Sequence, residues 1–197
     1  MEVIDHTCAT PGENLALEEV LLDQVEQGHR RGVLRFWESP VPFVVLGTGQ
    51  VLAREVFEQR CIEDGVPIMR RCTAGGCVLQ GPGSLNYALS LRYEDVPEVA
   101  SLHESYRFLI GKVCRALQTL GVVATQAGIS DIAVDGLKIS GNAQRRRRRA
   151  LLHHGTLLYR ADMDGMSHYL REPEDRPDYR SMRPHREFVT QMDTSAP

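Results

Sequence analysis

Lys138, Asp131 and the run Arg145 to Arg149 lie in one stretch, Ser130 to Thr156, whose residue types could bind and activate an anion. Asp131-Ile132-Ala133-Val134 alternates toward an apolar face, turns at Asp135-Gly136, and returns as Leu137-Lys138-Ile139-Ser140. Asp-Gly between alternating runs is a strong signal for a tight hairpin. A lysine on a strand beside Gly141 is held rigidly where a ligand can approach the backbone closely. The five arginines that follow concentrate mobile cations. Together they suit a small anionic ligand, with phosphate the first choice. The plainer alternative is a solvated hairpin with a basic loop.

A second chemical stretch is Cys72-Thr73-Ala74-Gly75-Gly76-Cys77-Val78-Leu79-Gln80-Gly81-Pro82-Gly83, preceded by Arg70-Arg71. Its glycines imply a backbone that turns sharply or admits a ligand closely. It lacks the Gly-Lys-Ser/Thr ending of a P-loop, and it lies between two strands, where the dinucleotide Gly-x-Gly-x-x-Gly does not belong. An anion or acyl-chain cradle with arginines at its mouth is the functional reading, and a glycine-rich connection is the structural one.

The elements that must position these residues follow from periodicity. Leu17, Leu21, Leu22 and Val25 recur at helical spacing behind Asn14, a candidate N-cap, with Glu18, Glu19 and Asp23 outside. Val33 to Trp37 and Val41 to Leu46 read as strands, 54–64 as a short helix, and Pro67 to Arg71 as another strand. Ser84 to Arg92 alternates cleanly as a half-buried strand. Ser101 to Leu120 carries one apolar stripe and ends at Gly121, so it is the best helix. Leu151 to Tyr159 is a further strand, and Asp162 caps a short helix through Leu170. The segment from about Glu172 to Pro197 reads as an irregular wrap with a frayed end. Strands outnumber helices and neighbours are joined by tight turns. The expectation is an α+β fold, a mixed, largely antiparallel sheet packed with helices, in one domain over 1–197.

Composition narrows the class. At 197 residues, 42% hydrophobic and 25% charged, the chain fits one globular core. A net charge of −3 argues against general nucleic-acid binding. The first residues lack a secretory pattern, and no apolar run approaches the ~20 residues that span a bilayer. Five scattered cysteines suit reduced thiols in a cytoplasmic protein, and without a Cys-x-x-Cys pair a structural zinc site is not expected.

Four segments in order resemble a known pattern: Arg70-Arg71-x-x-Ala74-Gly75-Gly76-x-Val78; Gly81-Pro82-Gly83-x-Leu85-Asn86-Tyr87; Asp131-Ile132-x-Val134-x-Gly136-x-Lys138-Ile139-Ser140-Gly141-Asn142-Ala143-Gln144; and His153-His154-Gly155-Thr156-Leu157-Leu158. Asn14 to Glu19, Leu34 to Trp37 and Val44 to Gly47 agree. The set resembles the catalytic domain of lipoate–protein ligases, in the superfamily of biotin ligases and lipoyl/octanoyl transferases, over roughly Leu15 to Gln191. The resemblance implies a biotin/lipoate ligase-like (class II synthetase-like) fold and activation of lipoate, or a related medium-chain acid, by ATP. The acyl group would then pass to a lysine of a lipoyl domain of a 2-oxoacid dehydrogenase or of an H-type glycine-cleavage carrier.

By the same resemblance, Lys138 is the catalytic lysine at the acyl carbonyl and phosphate. Trp37, Arg70, Gly75, Gly76, Cys77, Gln80 and His154 line the acyl side. Arg71, Val78, Asn86, Asp131, Ser140, Gly141 and Ala143 line the nucleotide side, and Asp131 is the candidate Mg²⁺ ligand. His154 is read as a hydrogen-bonded scaffold, and the arginine run as a mobile loop closing over the adenylate and attracting an acidic lipoyl domain. Three departures stand out. Gln80 replaces a common histidine and Cys77 a glycine. The C-terminal accessory domain of many such ligases is not expected here, though a separate chain could supply it. The stretch from Val122 to Ser130 lacks the nucleophilic cysteine of octanoyltransferases. The alternatives are ATP-independent transfer from an acyl carrier protein and a non-catalytic lipoyl-binding partner subunit.

Overall fold

Thr10, not Asn14, caps the first helix in the computed structural model, which describes residues 1–174 and 177–192. A short strand, β1 (Glu2–Asp5), precedes helix α1 (Pro11–Glu26). Thr10 accepts from the Glu13 amide while the Glu13 carboxylate accepts from the Thr10 amide, a reciprocal capping box with proline in the first turn. Asn14 is thereby freed for a different task. Its side-chain oxygen and its carbonyl both accept from Arg35, which is fully buried and also bonds the His6 carbonyl. Burial lowers the Arg35 guanidinium below its ordinary range.

The strands β2 (Gly32–Trp37), β3 (Phe43–Leu46), β4 (Ile68–Arg70), β5 (Val78–Gln80) and β6 (Ser84–Arg92) follow the apolar runs. The single helix expected over 54–64 is two, α2 (Leu52–Glu55) and α3 (Glu58–Glu63). Val56 interrupts them because it takes extended backbone to bridge Leu170. Next come α4 (Leu102–Thr119), β7 (Thr125–Ala127), β8 (Asp131–Val134), β9 (Leu137–Arg146), β10 (Ala150–Leu158) and α5 (Met163–Tyr169). Asp162 caps α5 as expected. The wrap after Glu172 holds only a 3-10 turn and the short α6 (His185–Phe188) among the described residues. The frayed end expected toward Pro197 lies outside them.

A seven-stranded sheet runs β1-β2-β6-β10-β9-β8-β7, antiparallel except for β1 beside β2. A three-stranded sheet runs β4-β3-β5. The α+β expectation holds, with α1 and α4 on opposite faces of the large sheet. Parity along β10 shows it: Leu152 packs with Leu21, Leu22 and Val25 of α1, whereas Leu151 packs with Leu109 of α4. The same alternation sends His153 toward α4 and His154 toward α1. β3 reads as a continuous apolar run because Val44 and Leu46 face one cluster while Phe43 and Val45 face Trp37.

The arginine run is not a lid. Arg145 and Arg146 belong to β9, about 25 Å along the strand from Lys138. Arg145 donates to the Cys72 carbonyl, Arg146 to those of Val99 and Ala100, and Arg147 pairs with Asp23 of α1. These arginines have long stems and several donors, so they staple the hairpin end to neighbouring carbonyls and carboxylates.

Candidate active site

Lys138 and Asp131 face each other across the β8–β9 hairpin, Nζ to Oδ1 at 2.8 Å. A bulge after Ile132 shifts the register so that Ala133 pairs Lys138 and Ile132 pairs Ser140. Ile132, Ile139 and Ser140 are thereby fully buried, and Lys138 stays partly open. Gly141 lies beneath the ammonium; a Cβ there would sit 2.9 Å from Nζ.

Two cavities meet at this lysine, of about 150 and 390 Å³. Gly76, Cys77, Val78, Gln80, Asp131, Lys138, Gly141 and Thr156 line both. The smaller runs toward Leu15, Glu18, Trp37 and Val45, under α1. The larger opens toward Leu158, Met166, Leu170, Tyr179 and Phe188, between β10, α5 and the C-terminal wrap.

A hydrogen-bonded chain supports the smaller cavity. Trp37 Nε1 donates to Glu18 Oε1 at 2.8 Å, and Glu18 Oε2 meets His154 Nδ1 at 2.5 Å. His154 Nε2 lies 2.8 Å from Thr73 Oγ1, which accepts from Arg71 Nε at 2.9 Å. Arg71 then donates to the Ala74 and Gly76 carbonyls, at 2.8 Å each. Burial lowers its guanidinium below the ordinary range, against the attraction of Glu18. So His154 is bonded on both ring nitrogens, as a scaffold would be, and Arg71 fixes the glycine loop, whose Gly75 takes φ +98°. Glu18 does not face solvent as its helical position suggested: it is 2% exposed.

A second polar unit is a closed ring of three side chains. Gln80 donates to Thr156 at 2.7 Å, Thr156 to Asn86 at 2.7 Å, and Asn86 back to Gln80 at 3.0 Å. Gln80 retains one amide hydrogen beyond this ring. Cys72 and Cys77 both have thiols pushed up to about 12, chiefly by burial. They rest protonated, which opposes a thiolate nucleophile here.

The other expected positions divide. Trp37, Arg71, Gly75, Asn86, Ala143 and His154 line the smaller cavity. Arg70 lines neither cavity; its guanidinium turns out to the carbonyls of Gly47 and Gln50, at 2.5 and 2.9 Å. Ser140 is buried beneath the hairpin. Asp131 does not fit a protein-built magnesium site. Oδ1 holds Lys138 and Oδ2 accepts from Tyr179 at 2.5 Å, and the described residues contain no cluster of three His, Cys, Asp or Glu able to hold a metal. Sequence reasoning missed Glu18, Thr73, Thr156 and Tyr179. Glu18 had a signal, as a carboxylate on the helix that also buries Leu21 and Leu22, and Thr73 and Thr156 lay within the glycine-loop stretch and the last matched segment.

Gly155 marks a tight crossing beside the site. A Cβ at this position would lie 2.1 Å from Asn142 Oδ1 and 2.7 Å from the Tyr87 hydroxyl, which bond each other across it. Gly155→Ala should therefore destabilise the fold by about 3 kcal/mol. Urea denaturation checks this, and an unchanged midpoint would contradict the packing described.

Residues 10–196 match the family described as the lipoyl protein ligase A/B catalytic domain. The chain belongs to that family. Relatives of this lipoyl protein ligase catalytic domain include an Aeropyrum pernix protein named for lipoate-protein ligase A, 32% identical over 81% of this chain and 58% of its own length. Lipoate-protein ligase LplJ of Bacillus subtilis is 31% identical over 84% of this chain and 48% of its own length. The chain thus spans about half the length of the curated relatives it matches. Among solved structures, the bi-partite lipoate protein ligase of Thermoplasma acidophilum, reported with its E2 lipoyl domain, superposes with a TM-score of 0.77 at 25% identity. That match covers 100% of this chain and 77% of the other. A lipoate-protein ligase A bound with ATP gives 0.74 at 25%, covering 97% and 76%. No helix among the described residues is long and apolar enough to cross a membrane.

Proposed function

We propose that this chain joins lipoate, or a related medium-chain acid, to a lysine of a lipoyl carrier domain through an acyl-adenylate. The observation that carries this is the pair of cavities meeting at Lys138, one small and lined by Trp37, one larger and lined by β10, α5 and the C-terminal wrap. An acyl-adenylate has that form, an apolar chain and a nucleotide joined at a carbonyl–phosphate link.

In the first step a lipoate carboxylate oxygen attacks the α-phosphorus of ATP, and pyrophosphate leaves with the electrons of the bond that breaks. Lys138 is placed to stabilise charge on the acyl carbonyl and the phosphate together. In the second step the neutral amine of the acceptor lysine attacks the acyl carbonyl, and AMP departs. Gln80, held by the ring, lines both cavities at the same junction. The Trp37–Glu18–His154–Thr73–Arg71 chain holds the acyl pocket and glycine loop in register, so positioning supplies much of the catalysis. Mg²⁺ accompanies the ATP phosphates in this reading, and no step depends on a protein-held ion.

On the same basis the partners are lipoyl domains of 2-oxoacid dehydrogenases or an H-type carrier, with a separate accessory chain as in the bi-partite relative. Five free cysteines agree with a reducing cytoplasm.

The test is acceptor mass. Pure protein is incubated with an apo lipoyl domain and either lipoate plus Mg-ATP or octanoyl carrier protein, with and without an accessory chain. A mass gain with lipoate and ATP is expected. A gain from the carrier-protein donor alone would replace this reading with acyl transfer, and lipoate binding without any gain would favour a non-catalytic partner.

A further inference from the structure

Asp131 has its two oxygens on different elements. Oδ1 holds Lys138 at 2.8 Å, and Oδ2 accepts from the Tyr179 hydroxyl at 2.5 Å. Tyr179 lies in the C-terminal wrap, in the 3-10 turn Asp178–Arg180, 48 residues along the chain from Asp131. A carboxylate bonded through one oxygen turns readily about its last torsion, which is broad and two-fold. Lys138 alone would leave that torsion free. A second bond from a rigid donor removes the freedom.

The donor is rigid. The Tyr179 ring packs on Phe188, centroids 5.2 Å apart, and on Gly128, where a Cβ would come within 3.2 Å of Cε1. Arg183 donates to the Tyr179 carbonyl at 2.9 Å. The phenol is raised well above its ordinary range, chiefly by burial and then by Asp131, so it remains a hydrogen-bond donor throughout the working pH range. The wrap also meets Lys138 through the backbone, where the Thr190 amide donates to the Lys138 carbonyl at 2.8 Å. The lysine is thus held at both ends by one segment.

We propose that Tyr179 is a positioning residue: by fixing the Asp131 carboxylate it aims the Lys138 ammonium at the junction of the two cavities. The alternative is that Tyr179 only packs, in which case a ring without the hydroxyl serves equally well. The effect on catalysis rests on the adenylate reading above; the geometry of Lys138 does not.

Two measurements on the full chain, wild type and Tyr179→Phe, separate these. The first uses no substrate. Lys112 and Lys138 are the two lysines of the chain, and Lys112 is exposed, so trace acetylation read by peptide mass spectrometry gives Lys138 reactivity against an internal reference. Loss of the hydroxyl should raise the Lys138/Lys112 ratio by up to about tenfold, the worth of one hydrogen bond to a charged group. An unchanged ratio would overturn the proposal. The second follows adenylate formation from lipoate and Mg-ATP. There kcat should fall about tenfold with the lipoate KM within about twofold of wild type. A Phe variant with wild-type kcat would likewise overturn it. Should wild type form no adenylate, the adenylate reading fails by itself, and the labelling ratio alone decides the role of Tyr179.

Discussion

Replacing Lys138 by alanine should lower the rate of acyl-adenylate formation about a thousandfold while lipoate still binds. Two effects add. The cation that stabilises charge at the carbonyl and phosphate is lost, and Asp131, only 7% exposed, is left as an uncompensated anion beside an incoming triphosphate. The second effect is separable. Asp131→Asn in the Lys138→Ala background should recover part of the loss, because a neutral amide does not repel phosphate. Pyrophosphate release measures the rate, and calorimetry with lipoate alone checks that the smaller cavity persists. A Lys138→Ala protein as active as wild type would remove Lys138 from the mechanism.

The largest pH effect is expected from His153, which takes no part in the chemistry. It is fully buried on the α4 face, with Nδ1 accepting from Gln144 at 3.1 Å and Nε2 without a hydrogen-bond partner among the described residues. Burial, with a smaller contribution from His154, lowers its pKa from 6.5 to about 3. In the unfolded chain the imidazole takes a proton near 6.5; in the folded protein it does not until far lower pH. Between those values the unfolded state binds more protons, so stability falls as pH falls. The slope is about 1.4 kcal/mol per pH unit, and the whole window is worth about 4–5 kcal/mol. Denaturation from pH 7 to 4.5 should show that slope, and His153→Gln should flatten it whatever its stability at pH 7. Equal slopes in both proteins would mean that His153 titrates normally.

The hairpin was legible because its signals are local. Asp135 and Gly136 take φ of 51° and 75°, the paired positive values that an Asp-Gly turn adopts, and the strand Ser84 to Arg92 has the bounds that its alternation implies. What stayed hidden depends on distant partners. Glu18 shares its helical position with solvent-facing acids, and its burial follows from Trp37 and His154 closing over it. The ring of Gln80, Asn86 and Thr156 needs β6 beside β10. Arg70 and Arg71 are adjacent and chemically alike, yet strand alternation sends one outward and the other beneath the glycine loop. The arginine run misled for a related reason. Five like charges suggest a mobile loop, whereas Arg145, Arg146 and Arg147 find the carbonyls of Cys72, Val99 and Ala100 and the carboxylate of Asp23, partners that no local pattern reveals.

The tie between the wrap and the hairpin also sets an order of events at the ribosome. Synthesis delivers Lys138 and Asp131 well before Tyr179 and Thr190, the residues that brace them. Until that segment has emerged and docked, the nascent chain has the Asp131 carboxylate and the Lys138 ammonium without the bonds that brace them. Under the proposed function, competence to activate a carboxylic acid would therefore arrive only once Tyr179 and Thr190 have docked on the hairpin.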